Sequence, residues 1–124
     1  MIYNVYMKTQ YLAKQLYGIK EFQEIMVDDK TKEPYPVFIC EEDQKIVYYI
    51  PRSAQDFKSC LKLLSNDFFK QNQNSKEIKT VLKQAIFYVS EKFVPDVKIR
   101  RLYVKSCKEV LAKGFKKCNE IEKI

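Results

Sequence analysis

Apolar residues recur at helical spacing through the second half of the chain and predict three long helices there. These helices span about residues 53–70, 75–93 and 96–121. Ser53 and Asp56 form a capping-box pattern at the first start, and Pro95 stands where the first turn of a helix tolerates proline. Residues three and four apart share one helical face, so the inward residues follow from the spacing. They are Phe57, Cys60, Leu61, Leu64 and Phe68; Ile78, Val81, Leu82, Ala85 and Val89; and Ile99, Leu102, Tyr103, Cys107, Val110, Leu111, Phe115 and Cys118.

The first half of the chain has a mixed pattern, in which a β-hairpin is the clearest element. Two runs rich in β-branched and aromatic residues flank a short polar loop and predict an antiparallel hairpin over about residues 36–50. Pro34 and Pro36 exclude a helix immediately before it. Weaker patterns upstream predict a short strand over residues 2–6 and short helices over residues 8–17 and 20–29.

Together these elements predict an α+β fold that is mainly helical. The 124 residues fit a single domain, residues 1–124, in which residues 75–124 form a helical pair. A hydrophobic content of 46% beside 31% charged residues is typical of a folded globular chain and argues against disorder. The chain has only two glycines, Gly18 and Gly114, which disfavours a β-sandwich with many turns.

The residue types present exclude several kinds of catalytic and metal site. The chain has no histidine, so Ser–His–acid and Cys–His catalytic sites are excluded. Cys40, Cys60, Cys107 and Cys118 contain no C-x-x-C pair, and we expect buried thiols rather than zinc ligands. The acidic residues 41–43 are the one cluster suited to Mg²⁺, and a solvated hairpin loop is the alternative. We therefore expect a protein that is not an enzyme and has no cofactor and no metal site.

The chain has no sequence feature of export or membrane insertion. No segment approaches the ~20 consecutive apolar residues that a membrane-spanning helix needs. The first residues also lack the charged start, apolar run and cleavage site of a signal peptide. We expect a cytoplasmic protein in a reducing compartment, with no membrane partner.

Two segments carry a resemblance to a known family of DNA-binding proteins. The run from Leu12 to Ile19, LAKQLYGI, resembles the L-A-x-x-L-G-[VI] core of helix-turn-helix proteins. The run from Ile46 to Phe57, IVYYIPRSAQDF, resembles the wing strand and following helix of excisionase-like and MerR-type winged-helix proteins. The resemblance implies a winged-helix-like unit over about residues 8–64. In such proteins the second helix enters the major groove and the wing lies along the DNA backbone. The resemblance nominates Lys20, Gln23, Lys45 and Arg52 as secondary binding residues.

The positive charge of the chain is concentrated on the last predicted helix. From Lys98 to Lys117 there are eight basic residues and one acid, Glu109, so this window carries the whole net charge of +7. Helical spacing places several of the basic residues on one face, which suits phosphates or another acidic surface. The candidate binding residues are Lys98, Arg101, Lys105, Lys108, Lys116 and Lys117. A solvated lysine-rich face without a partner is the alternative.

These features predict a non-catalytic binding protein that docks on nucleic acid or a nucleoprotein complex through its basic C-terminal helix. A regulator from a mobile element would fit this description. The alternative is a small protein-binding inhibitor or adaptor whose basic helix meets an acidic protein surface. A virus-encoded protein that blocks a host nucleoprotein complex is one example. A homodimer that pairs an acidic N-terminal half with a basic C-terminal half is a further alternative.

Overall fold

A computed structural model of the protein describes residues 19–22, 26–27 and 34–122. Within these ranges the chain forms five strands and four helices, which confirms the mainly helical α+β fold. The strands are β1 (Ile19–Phe22), β2 (Met26–Val27), β3 (Pro34–Tyr35), β4 (Phe38–Glu42) and β5 (Lys45–Tyr49). The helices are α1 (Ala54–Lys62), α2 (Asn66–Gln71), α3 (Lys76–Phe93) and α4 (Val97–Glu122). The strand predicted over residues 2–6 and the helix predicted over residues 8–17 lie outside the described residues.

The predicted hairpin is confirmed, and it is part of a larger sheet. β4 pairs antiparallel with β5 on one side and with β1 on the other, in the order β1-β4-β5. The hairpin turn has two residues, Asp43 and Gln44, with φ of 50° and 65°. Two consecutive left-handed residues match the twist of a tight hairpin, although neither is the glycine or asparagine that tolerates this conformation best. β2 and β3 form a separate antiparallel pair.

The helix predicted over residues 20–29 is wrong. Residues 19–22 form β1 and residues 26–27 form β2. The spacing of Phe22, Ile25 and Met26 fits a helix over a short window. However, the backbone of β4 can form hydrogen bonds with a further strand along its outer edge, and a local spacing pattern does not reveal this. β1 takes those bonds, and the Phe22 ring packs edge-on against Phe38 with the centroids 5.3 Å apart. Non-local strand pairing here overrides a weak local pattern.

The helix predicted over residues 53–70 is two helices, α1 and α2. Leu63 ends α1, and the Ser65 hydroxyl accepts a hydrogen bond of 3.0 Å from the Phe68 amide to begin α2. The apolar positions expected on one stripe are nevertheless all buried. Phe68 and Phe69, which are neighbours on α2, are both buried in the core.

The predicted helices over residues 75–93 and 96–121 are confirmed as α3 and α4, and their starts are capped by side chains. The Ser75 hydroxyl accepts from the Ile78 amide at 3.2 Å, and the Asp96 carboxylate accepts from the Ile99 amide at 2.9 Å. Asp96 therefore begins α4, and Pro95 lies just outside the helix. The expected cap of α1 is also present, with Ser53 accepting from the Asp56 amide at 3.0 Å.

One hydrophobic cluster joins the sheet to all four helices. Phe38, at the centre of the sheet, contacts Phe57 of α1 with the ring centroids 5.8 Å apart. α4 packs against each of the other three helices, with Cys107, Leu111 and Cys118 on its buried side. This packing holds α4 along one side of the domain and leaves its opposite side in solvent.

Candidate partner-binding face of the last helix

The orientation of α4 about its own axis is fixed by specific contacts along its length. Near its start, the Arg100 guanidinium donates hydrogen bonds of 2.9 and 3.2 Å to the carbonyls of Val94 and Pro95. In its middle, the Tyr103 hydroxyl donates to the Ala54 carbonyl at 2.6 Å. Near its end, Gly114 lies against the Phe69 ring of α2. Arg100 is thus used by the fold, at the C-terminal end of α3 where a cation is favoured.

The six candidate basic residues of α4 are all exposed. We call them the basic face: Lys98, Arg101, Lys105, Lys108, Lys116 and Lys117. At about 100° per residue, all of them except Lys117 fall within a sector of about 80° on the side of α4 away from the core. Lys98 and Lys116 lie about 27 Å apart along the helix axis, at about 1.5 Å per residue. The face is therefore a row of cations long enough to meet several phosphates or carboxylates at once.

Lys108 links the basic face to α3. Its ammonium nitrogen lies 5.1 Å from the centre of the Phe87 ring, which is 47% exposed. A cation over an aromatic face is attracted to the negative charge of the ring, and the lysine stem covers part of the apolar surface. Phe87 is thus an exposed aromatic residue at the edge of the basic face.

Two lysines of α1 that the sequence pattern did not single out lie near α4. Lys58 and Lys62 both act electrostatically on the buried Cys107 thiol of α4. Burial raises the pKa of Cys107, while a hydrogen bond with Tyr103 and the two lysines oppose that rise. The missed residues stand four apart on α1, so the helical spacing could have suggested a second cationic row. The packing of α1 on α4 brings the two lysines near Cys107, on the buried side of α4.

The secondary residues nominated by the winged-helix resemblance do not come together on a recognition helix. Lys20 lies on β1 and Lys45 on β5, on opposite sides of β4 in the sheet. Arg52 is exposed just before α1, and Gln23 lies outside the described residues. Within the segment assigned to the recognition helix, the described residues form β1 and β2, so Lys20 lies on a strand.

A buried polar contact ties β5 of the sheet to α1. The Tyr49 hydroxyl donates to the Asp56 carboxylate, which also accepts from the Arg52 amide at 3.3 Å. Burial, and then the hydrogen bond to Asp56, raise the pKa of Tyr49 well above its usual range. The other Asp56 carboxylate oxygen is buried without a hydrogen-bond partner in the described part of the chain. Because both side chains are buried, this pair holds β5 on α1 and is not placed to meet a substrate.

The described residues contain no group of three or more histidine, cysteine, aspartate or glutamate side chains placed to hold a metal ion. Glu41 is exposed on β4, and Asp43 is exposed in the hairpin turn. All four cysteines are buried as free thiols, which confirms that expectation. No helix in the described ranges is both long enough and apolar enough to cross a membrane.

Ile99 and Leu102 are placed differently from the sequence expectation. The spacing put both on the inward line of the last helix, but they are 58% and 67% exposed. The buried side of α4 is centred on Cys107, Leu111 and Cys118, and at about 100° per residue Leu102 points about 160° away from it. The eight apolar residues predicted to point inward cover a wider sector of α4 than the surface that α1, α2 and α3 contact.

Comparison of the chain with protein-family models, with curated proteins and with solved structures gave no match.

Proposed function

We propose that the protein is a non-catalytic binding protein that docks on nucleic acid, free or within a nucleoprotein complex, through the basic face of α4. The observation that carries this proposal is the exposure of all six cations on a helix whose orientation the fold fixes. Glu109 is the one acid between Lys98 and Lys117, so little opposes an approaching phosphate chain. Neutralising phosphates releases condensed counterions, and that release drives binding without base recognition.

The composition of the face favours contact with the backbone rather than with bases. Arg101 is its only arginine, and lysine acts as a point charge without the planar fork that reads guanine. We therefore propose binding that depends on salt and has little sequence preference. The buried free thiols fit a reducing compartment, and we place the protein inside the cell.

A fluorescence-anisotropy titration tests the proposal with duplex DNA, single-stranded DNA and structured RNA at about 50 and about 200 mM salt. Replacing Lys105 and Lys108 by glutamate should weaken all the nucleic acids alike. It should also reduce the slope of log affinity against log salt by about 1 for each lost phosphate contact. The matched control is K76E/K83E, which makes the same charge change at exposed positions of α3. Equal weakening by both pairs would show only a net-charge effect, and no binding at the lower salt would reject the proposal.

The second candidate is an acidic protein surface that meets the same cations. Under it, K105E/K108E abolishes one protein complex while the wild-type chain barely binds nucleic acid. The same titration separates the two, because the second candidate requires no salt-dependent nucleic-acid binding by the wild-type chain.

A further inference from the structure

The first turns of α4 expose two neighbouring aliphatic side chains beside the basic residues. Ile99 and Leu102 are 58% and 67% exposed, and a spacing of three residues places them side by side on the helix. Lys98 is four residues before Leu102 and Lys105 is three after it, so both lysines border the same surface. We call these four residues the apolar–basic patch.

In the part of the chain that the structure describes, the two aliphatic side chains of this patch stay largely in solvent. The Tyr103 hydroxyl is bound to the Ala54 carbonyl at the start of α1, and Ile99 lies one turn before Tyr103 on the same flank of α4. α1 therefore reaches α4 at Tyr103 and leaves Ile99 largely in solvent. Solvation of these side chains is unfavourable, and a partner that covered both would gain affinity from their burial.

The chemistry of the patch selects the occupant. Nucleic acid stacks on aromatic rings and pairs with cations, and it gains little from two aliphatic side chains. A second copy that used the same patch about a two-fold axis would bring lysines against lysines. A lipid surface needs a wide apolar helical face, and in α4 that face is taken up by the core. A protein segment that carries acids around apolar anchors complements both parts of the patch.

We propose that the apolar–basic patch binds an acidic amphipathic segment of a partner protein, with Ile99 and Leu102 receiving its apolar side chains. Lys98 and Lys105 pair with its carboxylates at the rim. This site goes beyond the proposed nucleic-acid contact and does not use the lysines at the far end of the basic face. A chain with both sites would hold the nucleic acid and a protein component of one nucleoprotein assembly.

The test uses the full chain and a labelled synthetic peptide with leucines on one helical face and glutamates elsewhere. Leu102→Ser and Ile99→Ser should each weaken peptide binding about tenfold or more, as expected for losing a buried aliphatic contact. The matched control is Val97→Ser, because Val97 is 56% exposed but points about 140° away from Leu102 around α4. A peptide with serine in place of leucine should bind much more weakly. Thermal unfolding of each variant should match the wild-type chain, since all three side chains are exposed.

Several results would overturn the proposal. They are absence of peptide binding, equal binding of the serine peptide, and equal weakening by Val97→Ser. Loss on Leu102→Ser of self-association in sedimentation, or of binding to anionic vesicles, would assign the patch to a second copy or a lipid surface instead. The nucleic-acid proposal is tested separately: K116E/K117E should weaken nucleic acid and spare the peptide, and Leu102→Ser should do the reverse.

Discussion

Gly114 is the position at which one added methyl group tests the packing that orients α4. A Cβ at this position would lie 2.6 Å from two Phe69 ring carbons, Cε1 and Cε2, and closer still to the ring tip Cζ. The ring has little room to move away. It is 4% exposed, and its centroid lies 4.9 Å from that of Phe115 and 5.6 Å from that of Phe68. We therefore expect Gly114→Ala to destabilise the protein, although alanine is the better helix former.

The magnitude follows from two opposing contributions. Overpacking a tight core costs about 1–3 kcal/mol, and the lack of space around Phe69 places this site toward the upper end. Replacing glycine by alanine inside a helix stabilises the helix by about 1 kcal/mol. The net loss should be about 1–2 kcal/mol in the free energy of unfolding, or about 4–8 °C in Tm for a chain of this size.

Urea and thermal unfolding of a double-mutant cycle measure this effect. In a Phe69→Leu background the ring atoms that meet the new Cβ are gone, so Gly114→Ala should become stabilising by about 0.5–1 kcal/mol. Ala112→Gly, at an exposed position of the same helix, calibrates the helix-propensity contribution at about 1 kcal/mol. If Gly114→Ala stabilises the wild-type background, or acts equally in both backgrounds, the close approach of α2 and α4 is not what requires glycine.

Two further predictions concern the sheet. Gln44→Gly should stabilise the protein by about 0.5–1 kcal/mol in urea unfolding, because Gln44 has a φ of 65° that glycine adopts without strain; a loss of stability would contradict this reasoning. The neutral phenol of Tyr49 is favoured in the folded state, since burial and the hydrogen bond to Asp56 raise its pKa. Its contribution to stability is therefore present below the unfolded pKa of about 10 and is lost as pH rises above that value. Tyr49→Phe should cost about 1–2 kcal/mol at neutral pH and flatten the loss of stability between about pH 9 and pH 11. An unchanged alkaline slope would assign that loss to other groups, among them Tyr103, whose pKa burial also raises.

The sequence determined the elements that depend on local signals. Ser75 and the apolar spacing after it define α3, and Pro51 with Ser53 separates the hairpin from α1. The sequence also determined that the basic side of the last helix faces solvent. Its basic residues stand at helical spacing, and burying charged side chains is costly, so only the opposite side can pack in the core. For the same reason, the exposure of Lys98, Arg101, Lys105 and Lys108 follows from the pattern.

Only the tertiary structure decided which of the local patterns form the predicted element and which elements pack together. The Phe22 segment fits a helix locally, but it becomes β1 because β4 offers it backbone hydrogen bonds and an aromatic contact. Ile99 and Leu102 fit the inward line, yet they stay in solvent because the other helices contact a narrower strip of α4. Lys58 and Lys62 lie near Cys107 only because α1 packs on α4. Periodicity gives the direction in which each side chain points from its own helix or strand. The neighbours of that side chain depend on contacts between residues distant in sequence, and no local pattern specifies those contacts.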